Sequence, residues 1–132
     1  MTDTLSEKAR ALIARPVLAS LTTLGADGSP QVTPLWIDQE GDDLVFNTAK
    51  GRVKARHIEH DPRVAVSVVD PDDPYNVVAL RGTVVDVTTD GADAHIDALA
   101  KKYLGVDSYP MRSENEVRVK VRVRTDHIAM QG

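Results

Sequence analysis

Apolar positions along this chain fall into short segments, some spaced every three or four residues and some every two, separated by clusters of Gly, Pro, Asp and Asn. Leu5, Ala9, Leu12 and Ile13 recur at helical spacing, which predicts a helix over residues 5–14. Pro16 lacks an amide hydrogen and disfavours helix in the residue before it, so this helix should stop near Arg15. Residues 17–24 are β-rich and partly alternating, and the turn formers at 25–30 predict a hairpin. Residues 31–37 return as a strand whose apolar members are Val32, Leu35 and Ile37. Pro34 within it implies an edge position or a bulge. A second turn at 39–43 leads to a strand at 44–48, and the three strands read as an antiparallel meander.

A short basic helix is expected over 50–60, ended by Asp61-Pro62. Residues 63–69 form a near-continuous valine run that reads as a strand buried on both faces. After a polar loop at 70–74, residues 75–87 form another strand, with Gly82 marking a bulge or sharp bend. Ile96, Leu99, Ala100 and Tyr103 share one face of a helix expected over 92–103, with Asp90 as its N-cap. In the last strand Val117, Val119, Val121 and Val123 alternate with Arg118, Lys120, Arg122 and Arg124, which assigns the valines to the core. The expected fold is mainly β with peripheral helices: six or so antiparallel strands closing as a small barrel.

Composition narrows the function. With 132 residues, 42% apolar and 27% charged, the chain should form one domain over residues 1–132 with one sizeable core. No apolar run is long enough for a helical membrane span, and the N-terminal segment lacks the basic-then-apolar pattern of a signal peptide. The absence of cysteine excludes disulfides, thiolate catalysis and cysteine-held metal centres, and agrees with an expected cytoplasmic location. A net charge of −4 argues against a general nucleic-acid binder. Residues 50–63 nevertheless hold five basic residues and two acidic ones, a local +3 that leaves −7 on the rest. Such an island suits a discrete anionic ligand.

Asn47-Thr48-Ala49-Lys50-Gly51-Arg52-Val53-Lys54 runs from a strand through a glycine turn to a helix start. Free N–H groups at a helix N-terminus, with cations beside them, form an anion site. Lys50 and Lys54 are four apart, and Arg52 and Arg56 form a second basic row; a solvated basic helix face is the other reading. Thr33, Pro34, Leu35 and Trp36 could line a planar ring, or Trp36 could be a core anchor. Tyr75 is open between rim packing and ligand contact. His57, His60, His95 and His127 are too scattered to suggest a metal site, and no G-x-S-x-G elbow is present. No side chain stands out as nucleophile or general base, so the catalytic residues stay unassigned and any enzyme chemistry falls to a bound cofactor.

The order of these motifs, continued by Asp61-Pro62-Arg63, Asp73-Pro74-Tyr75, Arg81-Gly82 and Lys101-Lys102-Tyr103-Leu104-Gly105, resembles a known family over nearly the whole chain. It is similar to the flavin/deazaflavin oxidoreductases of split β-barrel fold, related to pyridoxamine 5′-phosphate oxidase, and within them to the branch that uses coenzyme F420. The resemblance implies a homodimer with cofactor sites at its interface and hydride transfer between F420 and a small organic acceptor. It places Arg52 and Lys54 on the cofactor phosphate, with Lys50 and Gly51 in the same turn. Thr48 and Ala49 fall beside the ring or its ribityl chain, Thr33 to Trp36 along the ring, and Pro74, Tyr75 and Asn76 on an approaching loop. FMN is the alternative cofactor, and a non-catalytic carrier of F420 or FMN the alternative role. The C-terminal arginine–histidine substrate motif of true pyridoxamine phosphate oxidases is not found in residues 116–132, which counts against a vitamin B6 role.

Overall fold

The computed structural model describes residues 3–131. Its elements in order are α1 (Glu7–Ala14), β1 (Ala19–Leu24), β2 (Pro30–Leu35), β3 (Ile37–Glu40), β4 (Asp43–Ala49), α2 (Val53–His60), β5 (Arg63–Asp70), β6 (Asp73–Thr88), α3 (Ala92–Leu104) and β7 (Arg118–Gln131). The seven strands form one antiparallel sheet in the order β2-β1-β5-β6-β7-β4-β3. β2 and β3 lie on opposite edges of that sheet, yet only Trp36 separates them in sequence. The sheet therefore curls until its edges meet at Trp36, giving a split barrel.

The seam at Trp36 is held by side chains rather than by a strand ladder. The Ile37 amide donates to Tyr103 Oη (3.1 Å), and Tyr103 Oη donates to the Val17 carbonyl (2.7 Å). Lys102 Nζ donates to the carbonyls of Ile13 (2.6 Å) and Ile37 (2.7 Å). The C-terminal turn of α3 thus ties the β3 edge to α1 and to the segment before β1, and burial lowers the Lys102 pKa even though Asp38 opposes the shift. Inside the barrel, Leu12 and Ile13 of α1 pack with Leu21, Phe46, Val66, Val78 and Val121.

Several expectations change. The meander does not form: residues 31–37 break at Trp36, so Pro30–Leu35 pairs with β1 while Ile37–Glu40 pairs with β4. Pro34 does sit on an edge strand. β5 is not buried on both faces; Val64, Val66 and Val68 point inward and Val69 is 47% exposed, because one face of this sheet is open. Val119, Val121 and Val123 are buried, but Val117 precedes β7 and is 48% exposed. α1 starts at Glu7 with Ser6 as its cap and ends at Arg15 as expected. Gly91, in left-handed conformation, replaces Asp90 at the start of α3. Gly82 does mark a register shift between β6 and β7: a Cβ there would lie 2.6 Å from the Arg124 carbonyl oxygen and from Val123 Cγ1.

Candidate functional site

β4 carries the chain from the barrel to a tight turn in which Gly51 takes a φ of +88°, a conformation open to glycine. α2 begins only at Val53, with Arg52 at the cap and no side chain satisfying its first amides. Lys50 and Gly51 therefore precede the helix, and the pairing of Lys50 with Lys54 on one helical face is not observed. Lys54, in the first turn, reaches a pocket of about 250 Å³ at the barrel seam.

One wall of that pocket is Pro34, Leu35 and Trp36; Thr48, Arg52 and Lys54 line it from the β4–α2 side, and Arg118 comes from β7. Trp36 stacks on Tyr103 with centroids 5.4 Å apart at 13°, and meets Tyr109 edge-on at 6.1 Å. Its two readings thus merge: it anchors the seam on one side and faces the pocket on the other. Leu18, Ile96, Leu99 and Met111 complete an apolar lining.

The electrostatics are lopsided. Arg52 pairs with Glu116 (2.9 Å), and Arg118 Nη1 donates to the same carboxylate (2.7 Å), whose pKa is lowered first by Arg118. Arg118 also sits over the Tyr109 ring at 5.2 Å and donates from Nε to Asn47 Oδ1 (2.8 Å). Lys54 makes no ion pair among the described residues. Burial lowers its pKa, and the charges of Arg52 and Arg118 lower it further. Three cations face one carboxylate, and the unpaired one is partly desolvated.

Of the residues singled out from the sequence, Pro34, Leu35, Trp36, Thr48, Arg52 and Lys54 come together here. Thr33 lies on β2 opposite Leu21, and Ala49 is buried at the end of β4; neither lines the pocket. Lys50 and Gly51 are exposed in the turn. Pro74 and Tyr75 sit at the β5–β6 hairpin outside the pocket, Tyr75 being 88% exposed, and Asn76 is buried against Asp70 (3.0 Å). Sequence reasoning missed Asn47, Tyr109 and Arg118. Asn47 stood inside the quoted motif, whereas Arg118 was hidden in a strand alternation that assigns basic residues to solvent. Among the described residues, no three His, Asp or Glu side chains converge as a metal set, and no helix is long and apolar enough to cross a membrane.

A curled seven-stranded split barrel with an apolar wall facing a cationic cluster is an oxidoreductase fold of the FMN/F420 type. The sequence profile of the pyridoxamine 5′-phosphate oxidase family matches residues 5–129, and the chain belongs to that family. A solved F420 reductase is 34% identical, with a TM-score of 0.85 over 95% of this chain and 98% of that one. Two further structures share the fold at 20% identity: the conserved hypothetical protein Rv2991 from Mycobacterium tuberculosis and HupZ from Group A Streptococcus. The first covers 96% of this chain and 84% of its own at a TM-score of 0.75. The second covers 95% and 92% at 0.68. No curated protein sequence matches this chain.

Proposed function

We propose that this protein is an F420-dependent oxidoreductase acting as a homodimer, with Lys54, Arg52 and Arg118 holding the cofactor phosphate. Lys54 carries the reading. A partly desolvated ammonium beside two guanidinium groups, with no carboxylate of its own, costs the folded chain stability. A bound anion reverses that cost. Perturbed groups of this kind in a cleft are candidate functional residues. The similarity to an F420 reductase at 34% identity favours the deazaflavin. FMN also carries a phosphate, and the same donors would accept it.

The residues fit such a cofactor. Arginine forks and an ammonium suit phosphate oxygens, and Pro34, Leu35 and Trp36 offer an apolar wall to a planar ring. When bound, the deazaflavin supplies or accepts a hydride. The chain's own part is positional: the cations hold the phosphate, the clamped Trp36 limits where a ring can lie, and Ile96 and Leu99 exclude water. Alignment of donor and acceptor at contact distance dominates such rates. Among the described residues, no carboxylate or histidine lines the pocket, so none of them offers a general base there.

A pocket of about 250 Å³ falls short of the roughly 300–1,000 Å³ of complete small-molecule sites. A second copy would supply the missing wall. The sheet offers a surface for it: Ser20, Ser67, Ala79 and Met130 form one cross-strand row, Val69 pairs with Val77, and Leu18, Val32, Val69 and Met130 are exposed. The test follows the F420 absorbance while reduced F420 is offered enones, imines and quinones. Acceleration by the protein with at least one acceptor class is expected; no acceleration with any, despite tight binding, would make the protein a carrier.

A further inference from the structure

Behind the pocket runs a chain of hydrogen bonds that the function above does not use. Asn47, buried on β4, donates from Nδ2 to the Ala92 carbonyl (2.9 Å), and the same nitrogen lies 3.1 Å from His95 Nδ1 on α3. Its Oδ1 accepts from Arg118 Nε (2.8 Å). A carboxamide can turn over with almost no change of shape, so its neighbours decide which end faces the pocket. The Ala92 carbonyl only accepts and Arg118 only donates, and both ask for the orientation observed. His95 agrees with them only while its Nδ1 is an acceptor, which requires a neutral ring with its hydrogen on Nε2. Burial, helped by Lys120, holds the His95 pKa down at about 4, against the opposing pull of Glu40 and Asp38. The Nε2 that then carries the hydrogen is buried with no protein partner. An apolar side chain at this position would avoid that unsatisfied donor.

We propose that His95 and Asn47 are positioning residues that fix the Arg118 guanidinium in the pocket. With Nε held by Asn47, Nη1 held by Glu116 and one ring face of Tyr109 beneath it, Arg118 keeps Nη2 free of hydrogen bonds among the described residues. Lys54 and Arg52 are its cationic neighbours. The guanidinium side chain is only 9% exposed, so its free edge is presented by its surroundings rather than found by a flexible search. That this edge meets a phosphate rests on the function proposed above; that Asn47 sets it, with His95 and the Ala92 carbonyl holding the amide nitrogen, does not.

Two readouts separate these claims. In the full-length protein, the Arg118 Nε–H resonance, assigned by its loss in Arg118→Lys, reports the bond to Asn47 without any ligand. It should be protected from exchange in wild type and in His95→Gln, which can restore an acceptor, and should exchange faster in His95→Leu, where the Ala92 carbonyl alone holds the far end of the amide. The second readout is the dissociation constant for F420 and for FMN. His95→Leu should weaken it about two- to tenfold, the range of one neutral hydrogen bond. It should have no further effect in an Arg118→Ala background. If His95→Leu does not fold, Asn47→Val, which removes the acceptor from a strand position where valine fits, carries the same expectations. An Nε–H protected in His95→Leu to the same degree as in wild type, or still protected in Asn47→Val, overturns the proposal, as does equal weakening with and without Arg118. If wild type binds neither cofactor, the function proposed above fails, and the Nε–H signal still decides the role of His95.

Discussion

Replacing Lys54 by methionine separates a group kept for binding from one kept for stability. Methionine retains the aliphatic stem that lies along the pocket and removes the ammonium. In the unliganded chain that ammonium is held at a cost, since burial, Arg52 and Arg118 all lower its pKa. Lys54→Met should therefore melt at or slightly above the wild-type temperature, with a stability difference within about 0.5 kcal/mol. Binding should move the other way. A charge-assisted hydrogen bond contributes roughly 1.5–3 kcal/mol, and each 1.4 kcal/mol is about tenfold in affinity. The dissociation constant for a phosphate-bearing cofactor should thus rise about 10- to 150-fold. The assay is a titration read by quenching of Trp36, the sole tryptophan, paired with a thermal melt of each unliganded protein. Unchanged affinity, or a fall in stability with affinity kept, would refute the assignment of Lys54 to the anion.

Other outcomes follow from the same contacts. Tyr103→Phe removes the hydroxyl that joins Ile37 of β3 to Val17 before β1 and should lower stability by about 1–3 kcal/mol in urea unfolding. Gly82→Ala forces a Cβ to within 2.6 Å of the Arg124 carbonyl oxygen, and overpacking of this kind costs about 1–3 kcal/mol, read in the same experiment. The His95 pKa is depressed on folding from 6.5 to about 4, so its contribution is fully present above pH 6.5 and is lost as pH falls through about 4. Discounted for the solvent on its open side, that contribution is on the order of 1–2 kcal/mol. Urea unfolding at pH 7.5 and pH 4.5 should show a smaller acid-induced loss in His95→Leu than in wild type.

The parts of the fold that local physics specifies were legible in the sequence. Pro16 ended α1 at Arg15, Pro34 marked an edge strand, and Gly82 marked the close approach of β6 to β7. The break at Trp36 was not legible. Leu35 and Ile37 are both buried and two apart, so alternation runs through the seam unbroken, and the break shows only in the change of partner strand and in the distant Tyr103 and Lys102 that hold Ile37. The site divides the same way. Arg52, Lys54 and Thr48 lie in one contiguous motif. Arg118 reaches the pocket by pairing with Ala49 across the sheet, and the basic face of its strand is closed by ion pairs with Glu116, two residues before it, and with Glu40 and Asp43 on β3 and β4. Tyr109 and Met111 come from a segment with no periodicity to read. The misplaced helix start, Val53 instead of Lys50, reflects a glycine whose positive φ lies outside the helical region.

Calorimetric titration of the wild-type protein with F420 and, separately, with FMN tests the central claim most directly, because it depends on no fluorophore and no acceptor substrate. Saturable binding of both phosphates with F420 the tighter ligand is the predicted result. Binding of neither, with the protein folded and dimeric, would contradict the account and leave the cationic pocket to another anion.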